Sequence, residues 1–560
     1  MPSVFIDNQE YTFEGKVKAL QFMIDNGIEI PYFCYHPALS IPTNCRMCLV
    51  EMGTPKINPQ TKEVEKDDKG NPIILWGPKP VTSCNLDLTP GMHIKTHKTS
   101  QVIEKAQKGV LEFILINHPL DCPICDQAGE CPLQINTYKY GPEGSRFELE
   151  KVHKPKRVKL GKNVMFDAER CINCTRCVRF TNEISGSEQL TVIQRGDHNY
   201  ISTAPGQTFD DPYSMNTIDL CPVGALTSTD FRFKARVWEM NASPSICTGC
   251  AKGCNINVWL RNNQILRLTP RENLQVNQYW LCDEGRLDYA KYDLNRVSGA
   301  YIQGNPTTFE QAYSHVQKLL QKGNVLFVGS PYASLESNFA LKKLAQQYQV
   351  NSIFYVPKVQ IGWGDHLLRK DDRTPNTNGV KLLGFIETTV EKLKEFVQSG
   401  SYFTLYILED DHTLQALVPY LNNIQVITHS YWNSQNFKPE VILPAATHLE
   451  SHGTYINIDN LAQLTQPAKR IKQMDPETLM YMAKGRIDKA GTQFDKWYQD
   501  TFVYDVLPSW RMINAIFDFG FTSHKAIFEQ MKKEIEALQH IQLKELKQNA
   551  VAMKSFVDWS

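Results

Sequence analysis

The sequence predicts a multidomain protein, α+β in its first half and α/β in its second, and three observations carry that expectation. Its 560 residues exceed any single small module, since a domain holds roughly 150. All 15 cysteines fall at or before residue 282, so the remainder of the chain has none. That cysteine-free remainder alternates short Val/Ile/Leu runs with helical patterns, the signature of a parallel sheet covered by helices.

Composition narrows the function. Lys+Arg and Asp+Glu both number 60 and the pI is about 7.2, so the electrostatic footprint of a nucleic-acid binder is missing. With 42% hydrophobic residues and a mean hydropathy of −0.37, a soluble core is expected. No apolar run approaches the roughly 18 to 20 residues of a spanning helix, so any membrane contact is expected to come through other subunits. The N-terminus, MPSVFIDNQEYTFEG, lacks the basic-then-apolar layout of an export signal and alternates as a strand does. An odd cysteine count without such a signal favours metal ligation over disulfides.

The first module reads as a hairpin turning at Asn8-Gln9, then a helix over KVKALQFMIDNG stopped by Gly27. Cys34, Cys45, Cys48 and Cys84 follow, and hairpin, helix and cysteine loop together are what a plant-type [2Fe-2S] ferredoxin offers. A zinc site could use the same four thiolates. The charged stretch PKINPQTKEVEKDDKGNPI between Cys48 and Cys84 reads as a solvated insertion, tolerated at little cost.

The strongest motif is Cys171, Cys174 and Cys177 in ERCINCTRCVRF, completed by Cys221-Pro222. It follows the bacterial ferredoxin run, except that Thr181 stands where the fourth cysteine would serve a second cluster. One [4Fe-4S] cluster is expected there. Cys247, Cys250, Cys254 and Cys282 form another set of four, suited to a [4Fe-4S] cluster or to zinc.

Cys122, Cys125 and Cys131 in HPLDCPICDQAGEC are left as a group of three, which cannot close a four-iron cluster. His118, Asp121, Asp126 and Glu130 are the nearby candidates for the fourth ligand. His118 leads, because imidazole is an established cluster ligand and carboxylate a rarer one.

Taken together, these motifs resemble the large iron-sulfur subunit of respiratory complex I. IEIPYFCYHPALSIPTNCRMCLVEM, HPLDCPICDQAGECPLQ, and CINCTRCVRF with CPVGAL are similar to its successive cluster loops, in order over roughly the first 235 residues. The resemblance implies that His118 joins Cys122, Cys125 and Cys131 on a [4Fe-4S] cluster. The set from Cys247 to Cys282 is similar to an extra cluster of some bacterial members, which implies a bacterial source. Two departures stand out: the Cys48–Cys84 loop is longer than the family pattern, and only about 265 residues, 297–560, follow the last cluster domain. Within them FEQAYSHVQKLL, VGSPYASLESNFALKKLAQ, DDRTPNTNGVKLLGF and VILPAATHLESHGTYIN still resemble a molybdopterin oxidoreductase, shortened.

The implied organisation is a β-grasp [2Fe-2S] ferredoxin-like domain at 1–98, a His/Cys3 [4Fe-4S] module at 99–140, and a [4Fe-4S] ferredoxin-like domain at 141–238. A molybdopterin-oxidoreductase-type [4Fe-4S] domain at 239–296 and an α/β remnant without an active site at 297–560 complete it. The implied cofactors are one [2Fe-2S] and three [4Fe-4S] clusters, with no molybdenum or flavin. The implied partners are a flavin-binding NADH-oxidising subunit and other peripheral-arm subunits, at the cytoplasmic face of a bacterial inner membrane.

Iron hydrogenases, formate dehydrogenases and hydrogenase diaphorase chains carry similar N-terminal modules. The first two need downstream ligands or a larger pterin domain, and a diaphorase chain is not expected to continue into VILPAATHLESHGTYIN. No G-x-G-x-x-G or G-x-x-x-x-G-K-[ST] follows a strand, so no nucleotide site is expected here. Two further stretches are ambiguous. KVHKPKRVKLGK (151–162) reads as a solvated linker or as a basic fringe beside a cluster. The apolar stripe Ile527, Met531, Ile535, Leu538 reads as a surface helix docked on its own domain or as a subunit contact.

Overall fold

The computed structural model describes residues 1–433, 437–486, 502–547 and 549–553. The chain divides into two compact units, Met1–Trp238 and Glu239–Ser560.

In the first unit, strands β1 (Ser3–Ile6) and β2 (Gln9–Thr12) form the expected hairpin. The turn residues are Asp7 and Asn8, both at positive φ, one position earlier than the expected Asn8-Gln9. Asx residues tolerate the left-handed region, and register fixes the two-residue loop. Helix α1 (Ala19–Asp25) ends as expected at Gly27, whose φ of 68° lets its amide reach the Ile24 carbonyl and the Ile28 amide reach that of Met23. β1 also pairs in parallel with His93–Lys95, which pairs with Leu49–Pro55, giving a mixed sheet over Val4, Ile6, Leu20, Met23, Val50 and Ile94.

The insertion after Cys48 is exposed, as expected, but it is ordered as a hairpin extension. Lys56 and Ile73, Asn58 and Glu63, and Glu65 and Lys56 are joined by backbone hydrogen bonds, so the chain leaves and re-enters the sheet in register. Helices α2 (Gln101–Leu115), α3 (Pro132–Tyr140) and α4 (Arg176–Glu183) carry the next two cysteine groups.

The second unit opens with a three-stranded antiparallel sheet over 241–270 and continues into an eight-stranded sheet. The four expected strands, Val325–Val328, Thr404–Leu408, Gln425–Ser430 and Val441–Pro444, lie side by side in parallel at its centre. Val325 and Phe327 face one core while Leu326 and Val328 face another, so both faces are covered. The helix His524–Glu534 buries Ile527, Phe528 and Met531 in the first of these cores, so it docks on its own unit.

Candidate metal centre

Cys34, Cys48 and Cys84 are buried and Cys45 is partly so. Their thiols fall into two neighbouring pairs, Cys34 with Cys45 and Cys48 with Cys84. The Ser83 amide and hydroxyl both donate to the Cys48 carbonyl, at 2.9 and 2.8 Å, which brings Cys84 across 35 residues of intervening chain.

His118 follows α2, and Cys131 caps the N-terminus of α3. Burial, with the charges of Arg170 and Lys151, holds the His118 pKa at about 4, so the ring is neutral at pH 7. Its Nδ1 is buried without a hydrogen-bond partner. The rival carboxylates are engaged. Asp121 accepts from Lys156 at 2.8 Å and Arg170 at 3.0 Å, Asp126 accepts from the Phe233 amide at 3.0 Å, and Glu130 also interacts. The run 151–162 is exposed over much of its length, as a linker is, yet two of its lysines are tied to the cluster loops. Lys151 caps the carbonyls of Leu115 and Ile116, and Lys156 binds Asp121 and Glu169.

Cys171, Cys174, Cys177 and Cys221 surround a small apolar cavity of about 20 Å³ lined by Phe166, Ile201 and Leu226. Burial and neighbouring thiols push Cys171 and Cys221 up to about 12. Thiols so placed ionise together only with cations among them. Thr181, at the position of a lost fourth cysteine, is fully buried and donates to the Val178 carbonyl.

Cys247, Cys250, Cys254 and Cys282 are all buried and line a cavity of about 90 Å³. The Cys247 amide donates to the Cys254 carbonyl at 2.7 Å, closing the loop. The Gly285 and Gly249 amides point at the sulfurs of Cys282 (3.3 Å) and Cys247 (3.5 Å), donors that favour the thiolate form. Among the described residues, no three His, Cys, Asp or Glu side chains gather closely enough to share one metal ion.

The structure adds residues that sequence reasoning missed. A Cβ on Gly224 would lie 2.1 Å from the Cys125 sulfur, and one on Gly285 2.9 Å from that of Cys247, so both glycines are required by close approach. Both stand inside recognisable motifs, CPVGAL and DEGRLDY, but nothing in those strings says which sulfur approaches. Arg236 pins the Cys125 carbonyl, and the Cys131 thiol lies 3.7 Å from the Pro222 carbonyl. An open cleft of about 420 Å³ is lined by Cys45, His118 and Cys171, one residue from each of three loops.

Four families match in chain order. Residues 2–99 match a 2Fe-2S iron-sulfur cluster binding domain, and 107–146 match the NADH-ubiquinone oxidoreductase-G iron-sulfur binding region. Residues 161–227 match the ferredoxin-like domain of NADH-quinone oxidoreductase subunit 3, and 240–291 the molybdopterin oxidoreductase Fe4S4 domain. The NADH-quinone oxidoreductase G subunit of Rickettsia felis is 38% identical over 362 residues, covering 62% of this chain and 50% of that one. The chain is similar to the NADH-quinone oxidoreductase G subunits over about half of their length.

The G subunit of Streptomyces coelicolor is 41% identical over 284 residues, covering 51% of this chain and 31% of its own. The mitochondrial NADH dehydrogenase [ubiquinone] iron-sulfur protein 1 of Solanum tuberosum is 38% identical over 360 residues, covering 63% and 45%. The chain thus spans about half or less of the curated relatives it matches. It carries 2Fe-2S and 4Fe-4S binding domains in a multidomain α+β arrangement. Among the described residues, no helix is long and apolar enough to cross a membrane.

Proposed function

We propose that this chain is an electron-transfer subunit of an NADH:quinone oxidoreductase and has no substrate site of its own. Cys34, Cys45, Cys48 and Cys84 hold one [2Fe-2S] cluster, and the two thiol pairs suit two irons with two protein ligands each. His118 with Cys122, Cys125 and Cys131, the Cys171/Cys174/Cys177/Cys221 set and the Cys247/Cys250/Cys254/Cys282 set each hold a [4Fe-4S] cluster. When bound, such clusters supply one-electron transfer. The Cys247 set lies in a buried loop with amides aimed at its sulfurs, whereas Cys122 of the His118 set is exposed; in such loops little rearranges as charge arrives. Two of the sets ring a cavity with their thiols, an arrangement that suits a multi-iron cluster.

The observation that carries the reading is that all 15 cysteines and His118 fall into four sets of four. The finer organisation into domains 1–98, 99–140, 141–238, 239–296 and 297–560, the last a shortened molybdopterin-oxidoreductase-like remnant, belongs to the same proposal. Electrons come from a flavin-binding NADH-oxidising partner and leave through other peripheral-arm subunits toward quinone. The complex sits at the cytoplasmic face of a bacterial inner membrane. Anaerobic purification with metal analysis tests it: about fourteen irons per chain are expected from these cluster types. Stoichiometric zinc, or molybdenum with a pterin, overturns it.

A further inference from the structure

Two arginines of α4, Arg176 and Arg179, lie between the first and third cysteine loops. Arg179 is 8% exposed. Its Nη2 donates to the Cys34 carbonyl at 2.6 Å and to the Cys174 carbonyl at 3.3 Å. Its Nη1 donates to the Ser40 carbonyl, and its Nε to the Thr175 hydroxyl at 3.4 Å. Arg176 repeats the pattern, donating to the Tyr35 carbonyl and, at 3.1 Å, to the Leu220 carbonyl beside Cys221. Each guanidinium thus grips one loop of each set. Glu183 and Asn44 fasten the same junction, Glu183 accepting from the Ser40 amide at 2.8 Å and Asn44 donating to the Asn173 carbonyl at 3.0 Å.

The hydrogen bonds leave Arg179's charge unanswered. All four acceptors are neutral, and the carboxylate that bears on it, Glu183, is already bonded to Ser40. A buried guanidinium without a counter-charge is strongly unfavourable. The same Nη2 holds the carbonyls of Cys34 and Cys174, which belong to different loops. With the thiolates of both sets ionised on their clusters, as proposed above, those sets supply the counter-charge for Arg179.

We propose that Arg179 is a positioning residue shared by the two thiolate sets, a buried cation that clamps the Cys34 and Cys174 loops together and raises the reduction potential on both sides. The proposal rests on the cluster assignment above. A cation stabilises the more negative, reduced form of any centre beside it, so one residue between two centres moves both in the same direction. One electron passing across it oxidises the first centre and reduces the second, and no proton or covalent bond changes place. The carbonyls of Cys34 and Cys174, bonded to the same Nη2, give a short connected route between the loops.

The test is an EPR-monitored redox titration of the full, cluster-loaded chain with Arg179→Gln and Arg179→Lys. Arg179→Gln should lower the reduced-to-oxidised ratio of both centres about tenfold at a fixed poise, about 59 mV for a one-electron couple. Arg179→Lys, which keeps the charge and loses the fork, should restore both ratios to within about threefold of the parent. Unchanged ratios in Arg179→Gln, or a shift in only one centre, overturn the proposal. Should Arg179→Gln lose its clusters, the lysine variant decides. Clusters retained at near-parent potentials support the charge role, and clusters lost despite the charge reduce Arg179 to a structural tie. Absence of the [2Fe-2S] or the [4Fe-4S] signal in the parent chain fails the cluster assignment instead, before any variant is compared.

Discussion

Cysteine side chains are part of two hydrophobic cores in the unit ending at Trp238, Cys48 and Cys84 in one, Cys131 and Cys177 in the other. The large core beginning at Ala300 has none, and is built from strands with apolar residues on both faces and helices on either side. The first unit spends its interior on thiols that repel one another once ionised, and secures its loops by arginine, glycine and carbonyl contacts. The second covers both faces of its main sheet with apolar residues and buries a Tyr406–His429 hydrogen bond within it. Dependence on metal should therefore be concentrated in the first unit, and dependence on packing and protonation in the second.

Stripping iron from the full chain is the largest way to break this contrast. Metal bound only to folded loops contributes folding free energy. Limited proteolysis after anaerobic chelation should cut throughout 1–238 while a fragment covering 300–480 stays protected. Equal protection of both units in the stripped chain would dissolve the contrast.

Next in size are the variants at one loop. Gly224→Ala places a Cβ 2.1 Å from the Cys125 sulfur, so one [4Fe-4S] EPR signal should disappear while the Cys247 set keeps its own. A full complement of signals would show that the loop yields at no cost. His118→Ala should lose the same signal, whereas His118→Cys should retain it at a lower potential, because a fourth thiolate adds a negative charge to the centre. An unchanged centre in His118→Ala would return the ligand question to Asp121, Asp126 and Glu130.

The smallest effect sharpens the second half of the comparison. His429 is fully buried against the Tyr406 hydroxyl at 2.7 Å, and burial pushes its pKa down to about 3. The unfolded chain, with an ordinary histidine near 6.5, takes up a proton that the folded unit refuses. Stability is therefore full above about pH 6.5 and falls by about 1.4 kcal/mol per pH unit below it, until about pH 3. Asp410 and Asp411, raised by burial to about 6, act in the opposite direction, so the difference between parent and His429→Gln is the clean readout. Denaturant midpoints of the two at pH 7 and pH 5 should change in parallel only if His429 takes no part.

The cysteine sets were legible because ligand spacing is local and cluster chemistry admits few alternatives. The central strands were legible for a related reason, since burial on both faces leaves continuous apolar runs such as VLFV and TLYIL. The sequence also marked Gly27 as a helix stop, where only backbone conformation matters. It misplaced the first hairpin turn by one residue, because both Asp7-Asn8 and Asn8-Gln9 can occupy such a turn and the strand register chooses. It left 151–162 ambiguous, because whether lysines meet water or the Asp121 loop depends on what folds against them.

By itself, then, the sequence determined the grouping of the candidate ligands, the order of the iron-sulfur domains and the covered parallel sheet, all properties of residue type and short-range spacing. Tertiary structure alone decided that Asp121 and Asp126 are taken while the His118 Nδ1 is left open, that Gly224 lies under the Cys125 sulfur, and that Arg179 stands between Cys34 and Cys174. Each of those contacts joins residues from different loops. A side chain's reach across the fold is set by packing and by where a charge can be buried with a counter-charge, and neither is written in any one stretch of chain.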